Sequence, residues 1–292
     1  MENMLKKLLA LVPLFVLGMI NSGVTLAASD GAALVGRASP WQWWLQDPKT
    51  PAAEAVYDLN LMLFYVEVAI VLFVLALLIY ILIKFNAKAN PVPSKTTHNT
   101  LLEVIWTGVP ILILILISVP SLKALYLADS TPDAEMTLKI TGNQWYWSYE
   151  YPDQGELAFD SNFVGEEDLQ PGQPRMLTAD NVVVLPVGTK IRLLMTSNDV
   201  IHNWAIPAFA VKLDTVPGRT NETWIEINEA GDYYGMCSEL CGINHAYMPI
   251  TVKAVSKAEF AAWVIKAKVE FAAAPSDKSN AMNVAQLTQA TQ

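Results

Sequence analysis

The sequence predicts a two-helix transmembrane hairpin followed by an all-β sandwich or barrel. Two apolar runs, Leu61–Ile83 and Val104–Leu122, are each long enough to cross a membrane as a helix. From Glu135 onward the apolar pattern switches to period two. Short alternating segments then recur between turn residues as far as Val255.

Composition agrees with this division. Hydrophobic residues make up 53% of the 292 and charged residues only 16%, a membrane-like balance concentrated in the first 127 residues. The formal net charge is −9, yet from Ala128 onward there are 21 acidic and 11 basic residues, so that portion alone carries −10. An acidic exported domain argues against nucleic acid as a partner. It complements a positively charged protein instead.

Residues 1–28 read as a secretory signal peptide. Lys6 and Lys7 precede the apolar stretch Leu8–Ile20, and Thr25-Leu26-Ala27-Ala28 ends in small residues suited to cleavage. The stretch is not Arg-rich like a transit peptide, which favours bacterial export. Residues 29–58 form an exported N-terminal arm. Its Trp41, Trp43 and Trp44 fit either a membrane-interface belt or packing on a neighbouring subunit.

The transmembrane hairpin occupies residues 59–127. Leu61–Ile83 makes about 34 Å of helix and carries one charge, Glu67. A carboxyl inside a membrane helix faces protein or water rather than lipid. Lys84–Asn99 carries Lys84, Lys88 and Lys95 and no acid, which places this loop on the cytoplasmic side and both hairpin ends outside. The expected location is the bacterial inner membrane, with the C-terminal domain on the periplasmic side. In Val104–Leu122, Pro110 and Pro120 are expected to kink the helix or end its turns. Glu103 just precedes this span. It is either a helix-start carboxylate favoured by the dipole or a point where protons enter.

Residues 128–256 form the β domain. Met136–Tyr151 reads as one strand with an aromatic face of Trp145, Trp147, Tyr149 and Tyr151. Further strands are expected at Leu157–Phe159, Val182–Val187, Lys190–Thr196, Asn203–Ile206, Thr223–Ile227, Asp232–Met236 and Pro249–Val255. The acidic Val164–Pro174 segment reads as a surface insertion. Ser256 and Glu259 make a capping box for a C-terminal helix over 257–271, and the polar residues 272–292 read as a disordered tail.

The chemistry is concentrated between Met236 and Met248. Cys237 and Cys241, the only cysteines, lie four residues apart; His245 follows Cys241 by four and Met248 follows His245 by three. Two cysteines in an exported domain most simply form a disulfide. A thioether beside thiolates and imidazole points instead to copper, where it serves as a weak axial ligand. One more ligand is needed, and His202 supplies it from among three histidines. Two thiolates can each bridge two copper ions, giving a Cys2His2 core with Met248 and one oxygen outside it. Sharing one electron over two metals reduces the geometry change on redox, which suits fast electron transfer.

Cys237-Ser-Glu-Leu-Cys-Gly-Ile-Asn-His-Ala-Tyr-Met resembles the binuclear copper (CuA) loop of cytochrome c oxidase subunit II. Gln144-Trp-Tyr-Trp-Ser-Tyr-Glu-Tyr-Pro, Thr97-His-Asn-Thr, Glu103-Val-Ile-Trp-Thr and Val200-Ile-His-Asn-Trp-Ala-Ile-Pro-Ala-Phe are similar to that family in order and spacing, from about residue 41 to about 270. The resemblance implies a cupredoxin-like fold for the β domain. It implies His202, Cys237, Cys241, His245 and Met248 as side-chain ligands of two copper ions. Glu239 matches the position whose backbone carbonyl binds copper and whose carboxylate helps bind magnesium (or manganese) shared with subunit I. Trp145 matches the residue that receives electrons from docked cytochrome c, although a strand tryptophan is more often a packing residue. Glu150, Asp180 and Asp199 match acids of the docking patch, and Glu103 matches the mouth of a proton pathway in subunit I. The implied partners are cytochrome c, the haem-bearing subunit I, subunit III and copper-delivery assembly factors.

Four other readings fit less of the sequence. A C-x3-C copper chaperone or thiol oxidoreductase would have one span and a mixed α/β core. A quinol-oxidase subunit II would lack the copper ligands. A structural anchor with a disulfide-closed loop leaves the Cys/His/Met spacing unexplained. The copper-pair domain of nitrous oxide reductase lacks the hairpin.

Overall fold

A computed structural model describes residues 36–155 and 157–271. The expected signal peptide, the start of the arm and the expected tail lie outside the described residues. The two long helices are α1, Pro51–Lys84, and α2, Thr100–Asp129. Thr50 caps α1 by accepting the Ala53 N–H at 3.1 Å, with Pro51 pre-set for the first turn. Asn99 caps α2 by accepting the Leu102 N–H at 3.2 Å. Apolar side chains cover both helices on all sides and are exposed in the isolated chain, the pattern of helices solvated by lipid. Pro110 and Pro120 do not end α2, which runs on through both. A membrane helix tolerates proline where local adjustments re-satisfy the freed backbone groups.

At 34 residues α1 is about 51 Å long, well beyond the roughly 30 Å apolar core of a bilayer. Its first turns therefore stand outside as a stalk bonded to the β domain. The Thr50 hydroxyl donates to the Phe209 carbonyl at 2.8 Å, and Lys49 pairs with Glu229 at 2.7 Å. At the end of α2, the Trp224 indole donates to the Leu127 carbonyl at 2.9 Å.

Among the described residues the β domain has ten strands: β1 Met136–Asn143, β2 Tyr146–Tyr151, β3 Leu157–Ser161, β4 Val183–Pro186, β5 Ile191–Ser197, β6 His202–Ile206, β7 Val211–Thr215, β8 Asn221–Ile225, β9 Gly231–Cys237 and β10 Pro249–Val255. They form two five-stranded sheets, ordered β3-β2-β1-β5-β8 and β4-β10-β9-β6-β7. The β1–β5 and β4–β10 pairs are parallel and the other pairs antiparallel. Two facing sheets with a closed core make the cupredoxin-like sandwich. Inward positions alternate with outward ones, so Trp147, Tyr149 and Tyr151 of β2 are fully buried. Each large apolar side chain so buried contributes about 2–3 kcal/mol. Two of these aromatics also tie the sheets together. The Tyr149 hydroxyl accepts the Trp204 indole N–H at 3.2 Å, and the Tyr151 hydroxyl exchanges hydrogen bonds with the Val184 backbone.

Two strand expectations change. Met136–Tyr151 is not one strand but the β1–β2 hairpin, paired from Lys139↔Glu150 to Asn143↔Tyr146. Trp145 sits in its turn rather than on a strand face. The period-two pattern of aromatics runs straight through the turn and hides it. The strand β7 was not expected, although Val211, Leu213 and Thr215 alternate with Lys212 and Asp214.

Helix α3, Lys257–Phe271, closes one end of the sandwich, with Trp263 against Tyr151 at 5.3 Å and Phe271 stacked on Phe159 at 4.6 Å. Its capping box is complete. Ser256 N–H and Oγ donate to the Glu259 carboxylate at 3.0 and 2.7 Å, and Glu259 N–H donates to Ser256 Oγ at 3.2 Å. The Ser256 donors hold the Glu259 carboxyl below its ordinary value of 4.5. That contribution is present above 4.5 and is lost as the pH falls through the depressed value. Ser256→Ala is therefore expected to lower the unfolding temperature at pH 7, with the gap to the parent closing in acid. Thermal unfolding followed by tryptophan fluorescence checks it.

Candidate metal centre

The centre lies where β6 and β9 meet. His202 opens β6 and is fully buried, and Cys237 ends β9 with Trp204 as its cross-strand partner. The chain then loops out and returns through a short 3-10 turn, His245–Tyr247, to Met248 and β10. Two backbone bonds hold the neck of this loop. Cys237 N–H donates to the Met248 carbonyl and Ser238 N–H to the Asn203 carbonyl, both at 3.0 Å.

This arrangement gathers the soft donors. The sulfurs of Cys237 and Cys241 are 3.8 Å apart. Nδ1 of His202 lies 3.9 Å from the Cys237 sulfur and Nδ1 of His245 lies 3.5 Å from the Cys241 sulfur. The Glu239 carbonyl oxygen lies 3.4 Å from the Cys237 sulfur. The donor atoms of His202, Cys237 and Cys241 all fall within 4.8 Å of one another, and all three residues are buried. Met248 is fully buried at the base of the loop. Both cysteines are free thiols rather than a disulfide. Two sulfurs between two imidazole nitrogens, shielded from water, fit copper by donor chemistry.

The protonation pattern suits a cation. Burial alone would raise the Cys237 thiol, but His202 and nearby backbone groups outweigh it and bring it down to about 7. Burial pushes the Cys241 thiol up, and a thiolate at Cys237 adds to this, to about 12. One thiolate is thus available near neutral pH, and the second forms readily only when a metal cation offsets its charge.

Asp199 orients His202. Its Oδ1 lies 2.8 Å from His202 Nε2 and accepts the proton there, while Nδ1 faces Cys237, bonding the thiolate when protonated and open to a metal once that proton is lost. Its Oδ2 accepts the Gln144 N–H at 2.6 Å, and the Val200 N–H also bonds the carboxylate. Burial works against the charge, but these bonds outweigh it and hold the Asp199 carboxyl below its ordinary value. The sequence offered one signal for this contact, the i,i+3 spacing of an acid and a histidine. The Asp199 side chain is still 31% exposed.

Trp145, half-buried in the β1–β2 turn, donates its indole N–H to the Cys241 carbonyl at 3.2 Å. Gln144, which the sequence marks only as the start of the aromatic motif, donates its side-chain amide to the same carbonyl at 2.8 Å. Glu150 is exposed on the outer face of β2 and pairs with Lys139 at 3.2 Å. Asp180 is exposed, and its carboxylate accepts the backbone N–H groups of Asn162 and Asn181. Glu239 is exposed on the loop. Glu103 lies in the first turn of α2, at the end of the hairpin away from the β domain, and Glu67 is exposed on α1.

Residues 136–255 match the family model described as cytochrome c oxidase subunit II, periplasmic domain, and residues 38–124 match that described as cytochrome c oxidase subunit II, transmembrane domain. The chain belongs to the cytochrome c oxidase subunit II family. It is 49% identical over 225 residues to a probable cytochrome c oxidase subunit 2 of Rickettsia bellii, covering 77% of this chain and 84% of that protein. It is 45% identical over 238 residues to cytochrome c oxidase subunit 2 of Zea mays, covering 80% of this chain and 92% of that protein. The solved periplasmic domain of cytochrome oxidase subunit II of Bradyrhizobium japonicum is 51% identical, covering 49% of this chain and 99% of that one, with a TM-score of 0.46. Membership makes the chain a subunit of a haem–copper terminal oxidase and implies copper as its metal. The hairpin anchors it in a membrane.

The thiol asymmetry is directly testable on copper-free, reduced protein. Ultraviolet thiolate absorbance is expected to rise in two steps, one near pH 7 and one far into alkali. Cys241→Ser is expected to keep the neutral step, and His202→Ala to move it upward by removing the bond that favours the thiolate.

Proposed function

We propose that this chain accepts electrons from cytochrome c at a binuclear copper centre and passes them to the haem- and copper-bearing subunit I, where oxygen is reduced to water. One observation carries the reading. Two buried thiols lie between two imidazole nitrogens, and the indole of Trp145 is bonded to the carbonyl of one of those cysteines. When bound, two copper ions supply a one-electron carrier. His202, Cys237, Cys241, His245 and Met248 would hold them by side chain and Glu239 by its carbonyl.

The chain's own residues do the rest. Asp199 keeps a proton on His202 Nε2, so that Nδ1 is the nitrogen that gives up its proton and offers its lone pair to the metal. The bonded neck at Cys237 and Met248 keeps the sulfurs away from water. Trp145 offers a half-exposed ring on one side and a hydrogen bond into the copper loop on the other, which suits a residue that receives electrons from a docked partner. Glu150, Asp180 and Asp199 would steer a basic cytochrome c, an effect larger on association rate than on affinity. Lys139 beside Glu150 tempers that acid's share.

Several further features belong to the same proposal. The carboxylate of Glu239 would help bind magnesium or manganese at the border with subunit I. Subunit III completes the oxidase core, and Glu103 would stand at the mouth of a proton pathway. A signal peptide at 1–28 and the lysines of the hairpin loop would place the copper domain on the periplasmic side of a bacterial inner membrane. In that oxidising compartment Cys237 and Cys241 would tend to pair before copper arrives. Copper-delivery factors must therefore keep them reduced.

Trp145→Phe tests the electron-accepting role. It removes the indole donor while keeping an aromatic ring. The expected result is unchanged copper content and an unchanged KM for cytochrome c. Reduction of the copper centre should slow about tenfold, equivalent to about 1.4 kcal/mol of barrier. Normal reduction kinetics would return Trp145 to a packing role.

A further inference from the structure

The β1–β2 turn belongs to the sheet that carries no copper-ligand candidate, yet it reaches the copper loop twice. The Cys241 carbonyl accepts two hydrogen bonds from it, from the Gln144 amide at 2.8 Å and the Trp145 indole at 3.2 Å. A carbonyl oxygen has two lone pairs, and both are taken here. The Gln144 backbone N–H is bonded to Asp199 at 2.6 Å, and Asp199 in turn holds His202. An unbroken chain of contacts therefore runs from His202 through Asp199 and Gln144 to Cys241. It joins the strand-borne side of the centre to its loop-borne side.

The loop is shaped to receive this contact. Gly242 follows Cys241 at φ +121°, a conformation L side chains rarely adopt. A Cβ there would lie 3.0 Å from the Trp145 ring and 3.1 Å from the Gln144 amide nitrogen. The missing side chain lets the turn lie directly on the loop.

We propose that Gln144 is a positioning residue for electron uptake: its side-chain amide fixes the Cys241 carbonyl so that the Trp145 indole keeps its hydrogen bond to the copper loop. This rests on the functional reading of Trp145 above. Gln144 is surface-exposed, so its replacement puts little at risk in the core, and its backbone bond to Asp199 survives any side-chain change. Without the amide, the carbonyl is free to shift toward water and the longer indole bond is the one to open.

The test uses the full chain in detergent, first copper-free and reduced. Gln144→Met keeps the length and loses the donor. Gln144→Glu keeps the shape and sets a carboxylate against the carbonyl. Hydrogen exchange of the Trp145 indole proton, assigned by its loss in Trp145→Phe, is expected to quicken about fivefold in Gln144→Met, the scale of one neutral hydrogen bond. It should quicken further in Gln144→Glu. Parent-like exchange in both variants would overturn the proposal. With copper added, Gln144→Met is expected to keep its copper content and its affinity for reduced cytochrome c while its copper centre is reduced more slowly. Reduction at the parent rate would also overturn it. Failure of the parent chain itself to bind copper would sink the functional reading instead, and the copper-free exchange would still decide the place of Gln144.

Discussion

The Cys237 N–H···O=C Met248 hydrogen bond is the contact on which the site depends. It continues the β9–β10 ladder one residue beyond Pro249↔Met236. Everything between Cys237 and Met248 is thereby forced into a closed loop, with its two ends one strand spacing apart. Inside that loop, Cys241 folds back onto Cys237 and His245 onto Cys241. The fourth donor, His202, arrives from the neighbouring strand β6, which is paired to β9 through Trp204↔Cys237. The clustering of these donors is thus a product of sheet register. A one-residue slip between β9 and β10 would turn Cys237 outward.

The sandwich makes that register costly to change. Tyr149 and Tyr151 of one sheet bond to Trp204 and Val184 of the other, so the sheets are tied by buried polar contacts as well as by packed surface. Burial pushes both phenols well above their ordinary ionisation range, and they stay neutral donors and acceptors at any physiological pH. The stalk of α1 and the end of α2 bond to the same domain through Thr50 and Trp224. Both ends of the hairpin nearest the β domain are therefore bonded to the sandwich that carries the donor cluster.

The cluster of soft donors is legible because its information is local. Cys237, Cys241, His245 and Met248 stand at short fixed spacings in a chain otherwise without cysteine, and hydropathy alone marks the two spans. Less legible was whatever depends on a turn or on a distant pairing. The alternation of Trp145, Trp147, Tyr149 and Tyr151 reads as one strand face. The turn at Gln144–Trp145 breaks no apolar pattern, because Trp145 is itself apolar. For the same reason the contact of that turn with Cys241, nearly a hundred residues away, left no trace in the sequence. The family pattern marks Asp199 only as an acid of the docking patch. Its bond to His202 follows from the tight bend between β5 and β6, where Ser197 and Val200 also bond. The strand β7 is only five residues long, and its alternation was present but brief.

A two-copper centre built by this loop has a direct spectroscopic signature. The most direct measurement is copper per chain together with the EPR spectrum of the full-length protein, its thiols reduced and copper then added. Two coppers per chain, with a hyperfine pattern from one unpaired electron shared equally by both, is the result expected. One copper with a four-line spectrum, or no tight copper and a Cys237–Cys241 disulfide, would rule out a binuclear centre in this loop.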